Sequence, residues 1–290
     1  MTKKNISNLL FAFWVYTIIV ILWGAWVRIS HSGNGCGDHW PLCGGEFIPS
    51  AGASGKTWVE YSHRMMSGLY GLIVFYCFYI FKNPKYSKTT RTLNTSMLVF
   101  MLIEAGVGAL LVKGNLVTVN DSVTRLVVMS LHQLNSFLLT AVTYLLGLSL
   151  VHEFEIKFKK VYLFFLLVCI VGAFASLSTT LFPSISLWEG ILQDISGDSH
   201  LFIRLRVLHP IFALTIMLSM TYYFLNKKQT RLVVEIYIGI IIGAITLLTL
   251  SPTWLKLSHL FIAHYLWSRI LRTETLTGST SGTSLNTNGV

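Results

Sequence analysis

Residues Leu9 to Val27 carry no charge, and a helix of that length and composition can cross the hydrocarbon of a bilayer. The pattern recurs: further apolar segments run at 58–81, 93–112, 125–151, 161–182, 202–225, 232–250 and 255–271. With 53% hydrophobic and only 12% charged residues, the chain is far more apolar than a soluble domain. Within lipid the backbone must bond to itself, so the segments are expected to be helices. Lys3 and Lys4 precede the first span and Arg28 follows it directly, which leaves no small-residue cleavage site and marks the segment as retained. The expected fold is an all-α integral membrane protein with eight transmembrane helices.

The loops set the orientation. Fourteen of the 22 lysines and arginines fall on one side of these eight spans and seven on the other, with Arg64 inside a helix. The positive-inside rule puts both termini in the cytoplasm. The net charge of +10 follows from that topology and calls for no nucleic-acid partner. The polar stretch 272–290, rich in Ser, Thr and Gly, reads as a disordered tail.

In this topology Cys36 and Cys43 lie in the first external loop, within "HSGNGCGDHWPLCGG" (31–45). An oxidising compartment makes an intraloop disulfide the leading expectation, either a structural staple or a redox-active pair. Cys77 and Cys169 sit in apolar helix interiors and read as small buried hydrophobes.

Four histidines form a pattern. His63, His132, His209 and His259 each lie one or two turns from the external end of an even-numbered span, so they share one depth. The odd-numbered spans answer with Gly24-Ala25, Gly108-Ala109, Gly172-Ala173 and Gly243-Ala244. Small pairs of this kind allow close helix packing, or leave room for a flat ligand. "GAWVRIS" (24–30) is echoed by "GAFASLS" (172–178), which suggests two tandem four-helix bundles related by a pseudo-twofold axis. The domains are then 1–151 and 152–271. Two neutral imidazoles facing each other in a bundle core can ligate both axial positions of a haem iron, so two haem sites are expected. Four imidazoles on one ion is a less natural alternative in a tandem repeat. His259 and His264 compete for the last ligand position: five residues apart, they cannot both face one iron, and His259 is chosen because it matches the depth of the other three. His31, His39, His152 and His200 fall in loops or borders and are expected to be solvated.

Charged residues near this depth have candidate roles. Arg125, two turns beyond His132, can meet a haem propionate, and Arg28 and Arg204 lie at the same level. Glu60 is three residues before His63, where it can orient water or move a proton or pair with Arg64 at i,i+4. The corresponding position in the second half is Arg206. Glu104 is a second intramembrane carboxylate, functional by default, with Arg64 as a candidate counter-charge.

These residues carry a family resemblance. "GAWVRISHSGNGCGDHWPLCGG" (24–45), "EYSHR" (60–64), "LHQLNS" (131–136) and the later histidines resemble haem A synthase, of the bacterial type with one external cysteine pair. The resemblance implies oxidation of a methyl group of haem O to a formyl through successive hydroxylations, giving haem A for terminal oxidases. It implies that His63 and His132 flank the substrate haem O, that His209 and His259 ligate a resident haem b, and that Glu60 is catalytic. A disulfide Cys36–Cys43 would cap the substrate pocket. The implied location is the bacterial cytoplasmic (inner) membrane. The implied partners are a haem O synthase, an electron donor and a further copy of the chain in a homo-oligomer. Two departures stand out: 182–200 lacks the second cysteine pair of some relatives, and Glu104 stands where many carry Gln. A dihaem cytochrome that only transfers electrons is the alternative. A transporter is a third reading, disfavoured because the histidine-bearing segments are not expected to be broken helices.

Overall fold

Each of the first four helices begins with a serine or threonine that closes its open end. Thr2, Ser54, Ser87 and Ser122 accept hydrogen bonds from the backbone N–H three residues on, which satisfies donors that a helix start leaves free. In the computed structural model, which describes residues 2–277, the helices are α1 (Lys3–Ile29), α2 (Gly55–Phe81), α3 (Lys88–Lys113), α4 (Val123–Leu148), α5 (Lys160–Leu181), α6 (Leu187–Ile195), α7 (Leu201–Arg206), α8 (Leu208–Asn226), α9 (Thr230–Leu248) and α10 (Thr253–Thr277). Seven helical stretches, α7 and α8 counted as one, are long and apolar enough to cross a membrane. The protein is an all-helical, multi-pass membrane protein.

Three differences from expectation have physical causes. The sixth segment is broken at Val207, because Pro210 lacks the N–H that would reach the Arg206 carbonyl and its ring crowds that group. A broken helix beside His209 corrects the expectation of unbroken ones. The break lies near the end of the segment and not at its middle. Between the fifth and sixth segments the chain also forms α6, capped by Ser186. Finally, α10 is 25 residues long but carries Lys256, Arg269, Arg272 and Glu274, so it falls outside the apolar set. It runs past residue 271 because Glu274, 1% exposed, is held by Lys159 at 2.8 Å, Lys227 at 2.7 Å and Tyr223 at 3.1 Å. Residues 272–277 are therefore helical and not tail, and 278–290 lie outside the described residues.

The first four helices meet the last ones through α1, α4, α5 and α10. Trp14 Nε1 donates to Ser268 Oγ at 3.0 Å and Trp267 Nε1 to Phe137 O at 2.9 Å between them, and within the first four helices Ser7 Oγ donates to Gly147 O at 2.8 Å. These bonds satisfy polar groups that would otherwise face hydrocarbon. The main apolar core, with Val74, Met97, Phe137, Leu146, Phe224 and Ile236 all at 0% exposure, fills the half of the bundle farther from the cysteine loop. The histidines lie in the other half.

Candidate haem-binding sites

Each of the four histidines faces one of the four glycines. A β-carbon on Gly24 would stand 2.9 Å from His63 Cε1, one on Gly172 3.1 Å from His209 Cε1, and one on Gly243 2.8 Å from His259 Cε1. At Gly108 the distance to His132 Cε1 is 3.9 Å. Glycine thus lets an imidazole edge seat against the backbone of the preceding span, and any other residue at three of these places would displace the ring. The two small-residue and histidine patterns in the sequence are one construction, repeated four times.

The rings fall into two pairs. His209 and His259 have centroids 6.0 Å apart, about the separation of two imidazoles bound end-on to one metal through bonds of roughly 2 Å. His63 and His132 are within electrostatic reach of each other. All four Nδ1 atoms are buried without a hydrogen bond, whereas the Nε2 atoms are not enclosed. Among the described residues no group of three or more His, Cys, Asp or Glu side chains converges as an ion site, so the four imidazoles do not meet on one ion. Paired imidazoles with free Nε2 atoms and glycine-lined backs fit a flat, axially ligated group such as haem. His264 is engaged elsewhere: it is 0% exposed, its Nδ1 lies 2.9 Å from Thr140 Oγ1, and its ring stacks on Phe137 at 3.9 Å.

Each half has a loop clamped over its histidines. In the first, Cys36 and Cys43 form the expected disulfide. Buried Glu60 accepts from Cys36 N at 2.9 Å through Oε2 and from Arg64 Nη2 at 2.5 Å through Oε1. Arg64 also donates to the carbonyls of His39 and Leu42. Gly35 brings the loop against the start of α2, where a β-carbon would stand 2.6 Å from the Lys56 backbone. In the second half, buried Arg206 pairs with Asp194 of α6 and donates to Gly190 O at 3.0 Å and Ser184 Oγ at 3.1 Å. Spacing alone did not reveal this clamp, because its partners sit on a loop helix absent from the expected topology.

Arg64 is thus taken by Glu60, and Glu104 is matched differently. Its Oε1 lies 3.2 Å from His132 Nδ1, without the alignment of a hydrogen bond, and its Oε2 accepts from Asn135 Nδ2 at 2.6 Å. Of the three arginines near this depth, Arg28 donates to Ser176 Oγ across the two halves at 2.9 Å and buried Arg125 to Thr118 O at 2.7 Å. Arg204 is exposed on α7. Lys256, which sequence reasoning did not single out, reaches Thr180 Oγ1 at 3.5 Å and lies within electrostatic reach of Arg28, as does Arg125. Among the described residues none of Arg28, Arg125 and Lys256 has a salt-bridge partner within 4 Å, and together they form a positive cluster with Asp121 within electrostatic reach of Arg125. Of the remaining histidines, His39 and His152 are exposed. His200 caps α7, accepting from Phe202 N at 3.2 Å, and His31 Nδ1 is buried without a partner. Cys77 and Cys169 are buried and free, as expected.

Comparison with known proteins gives the family. A family model described as COX15-CtaA, cytochrome oxidase assembly protein, matches residues 7–271. Two proteins of Thermus thermophilus strains, each named protoheme IX farnesyltransferase, are 30% identical over 276 residues, covering 87% of this chain and 45% of theirs. Heme A synthases of Bacillus cereus and Bacillus anthracis are 44% identical over 93 residues, 32% of this chain and 30% of theirs. The chain thus spans less than half the length of the Thermus relatives. With the family model covering nearly its whole described length, the chain belongs to the COX15-CtaA family of cytochrome oxidase assembly proteins.

Proposed function

We propose that this protein is a haem A synthase, oxidising a methyl group of haem O to a formyl by successive hydroxylations. The observation that carries the reading is the paired set of glycine-backed histidines, with a carboxylate beside the first pair only. His63 and His132 would hold the substrate haem O, and His209 and His259 a resident haem b. Bound haem supplies the redox chemistry, and the side chains position and screen it. Glu60, three residues before His63, would hold or move a proton. The Arg28, Arg125 and Lys256 cluster suits the anionic propionates, since charges at a membrane rim favour a mate. The disulfide loop excludes water from above. The Thermus relatives bear the name of a protohaem-prenylating enzyme, which supports a prenylated haem as substrate and a haem O synthase as partner. An electron donor is the remaining partner the reading requires.

The reading includes eight spans, with α10 as the eighth, and a pseudo-twofold axis between halves. Two contacts support that axis. Arg28 and Ser176 each follow a cradle glycine by four residues and bond to each other. Phe137 and His264 each follow a ligand histidine by five and stack face to face. Like positions meet in this way only near a twofold axis. The termini would face the cytoplasm of a bacterial inner membrane.

A dihaem electron carrier is the second reading, favoured by the similarity of the four cradles. Extraction of haems from cells that make the protein together with a haem O synthase separates the two. Haem A or its hydroxylated precursor, dependent on the intact chain and lost in Glu60→Ala, supports the synthase. Unchanged haem O beside bound haem b, with the electron donor present, identifies the carrier.

A further inference from the structure

The two halves differ most behind the fourth-span histidines. Four residues before the cradle glycine, the first half has Glu104 and the second Gly239; three residues after the histidine, the first half has Asn135 and the second Ile262. In the first half the two groups touch through a 2.6 Å hydrogen bond. In the second the same two positions also meet, as an apolar contact: a β-carbon on Gly239 would stand 3.4 Å from Ile262 Cγ2 and 2.8 Å from Leu266 Cδ1. A polar pair has the place of a hydrocarbon one, at a depth where polar groups are costly.

The hydrogen bonds fix the direction of this pair. Asn135 Nδ2 also donates to Phe100 O at 2.8 Å, and a carbonyl can only accept, so the amide nitrogen faces Glu104 and Oε2 accepts there. That anchors Oε1 3.2 Å from His132 Nδ1. If His132 is to offer a lone pair at Nε2, the one proton of its neutral ring must sit on Nδ1. Oε1 then becomes the acceptor for it, after a slight rotation of the ring. Carboxylates behind ligating histidines fix the ring tautomer and make the ligand more basic.

We propose that Glu104, anchored by Asn135, is a positioning residue that makes His132 a more electron-donating axial ligand than His63, His209 or His259. It thereby lowers the reduction potential of the first-half haem relative to the second. The inference rests on the first half being a haem site.

The test is haemin titration and potentiometry of the full-length protein in detergent. Glu104→Gln is expected to weaken haemin binding at the first-half site about tenfold. Its midpoint potential should rise by about 59 mV for each tenfold loss of ferric over ferrous preference. The second-half haem, unshifted in the same sample, reports that the variant is folded. If His63→Ala and His132→Ala leave haemin binding unchanged, the haem reading of the first half falls. If those two abolish first-half binding while Glu104→Gln shifts neither affinity nor potential, only the Glu104 role falls. Should Glu104→Gln fail to fold, Glu104→Asp withdraws the oxygens while keeping the carboxylate, and an unshifted potential there overturns the proposal.

Discussion

The two loop clamps occupy the same register with opposite charge. Glu60 and Arg206 each stand three residues before the first histidine of their half, and each reaches out of the bundle to hold a loop above it. Glu60 takes a backbone N–H of the disulfide loop and the guanidinium of Arg64. Arg206 takes backbone carbonyls and the carboxylate of Asp194 on α6. A covalent bond orders the first loop, and a short helix orders the second. The position demands a charged anchor for a cap, and the chemistry of each cap sets the sign of the charge. In the first half that anchor is also the acid/base candidate, so capping and proton handling would share one residue.

The largest effect tests whether the halves hold separate haems. Removing His209 or His259 should eliminate the second-half haem and leave the first, read as a halved haem-to-protein ratio in the purified protein. His63→Ala or His132→Ala should do the converse. Loss of all haem from any single variant would break the two-site comparison.

The clamps come next. Glu60→Ala leaves the Cys36 N–H without its partner and Arg64, with 11% of its side chain exposed, without a counter-charge, held only by the His39 and Leu42 carbonyls. Arg206→Ala strands Asp194. Breaking a buried pair in this way costs about 3–5 kcal/mol, and both variants should lose thermal stability in detergent, with cleavage of the freed loop by added protease. Glu60→Gln, which can still accept from Cys36 N, should keep the cap while losing haem A formation. Retained formation in Glu60→Gln would reduce Glu60 to a clamp. The disulfide contributes less: Cys36→Ser with Cys43→Ser removes a staple across a separation of seven residues, worth about 2 kcal/mol. With Glu60 and Arg64 in place, the loop should stay seated and α6 should be unaffected.

The parts of this architecture legible in the sequence were those that a single helix encodes. The apolar segments, the matched depth of His63, His132, His209 and His259, and the small pairs all follow from periodicity and spacing along one chain direction. The choice of partner across helices does not. Spacing along one helix pairs Arg64 with Glu60 at i,i+4 but says nothing of Glu104, and only the packing of α3 on α4 gives Glu104 to His132 and Asn135. The length of α10 depends on Lys159 and Lys227 from distant segments. Lys256 carries no signal in the sequence, and only the placement of α10 brings it near Arg28. Pro210 was visible beside His209, and its effect follows directly from its missing N–H. Angle left His259 and His264 in competition for one place, and depth favoured His259; His264 packs against Thr140 and Phe137, contacts that no spacing along α10 encodes.

The smallest effects separate the four cradles from one another. Gly243→Ala and Gly24→Ala put a methyl group 2.8 and 2.9 Å from a ring carbon, and neither helix backbone can recede far inside a packed bundle. Overpacking of this kind costs about 1–3 kcal/mol, and here it falls on ring orientation. The expected result is weaker haem binding and an altered low-spin spectrum at the affected half only. Gly172→Ala, at 3.1 Å, should do the same more mildly. Gly108→Ala meets His132 at 3.9 Å, an ordinary contact, and should leave haem binding unchanged. The looser seat behind His132 belongs to the one ring that has a carboxylate to orient it: where Glu104 can fix the imidazole by hydrogen bonding, the glycine need not fix it by contact. A Gly108→Ala phenotype that appears only when Glu104 is also changed to Gln would establish that exchange of roles.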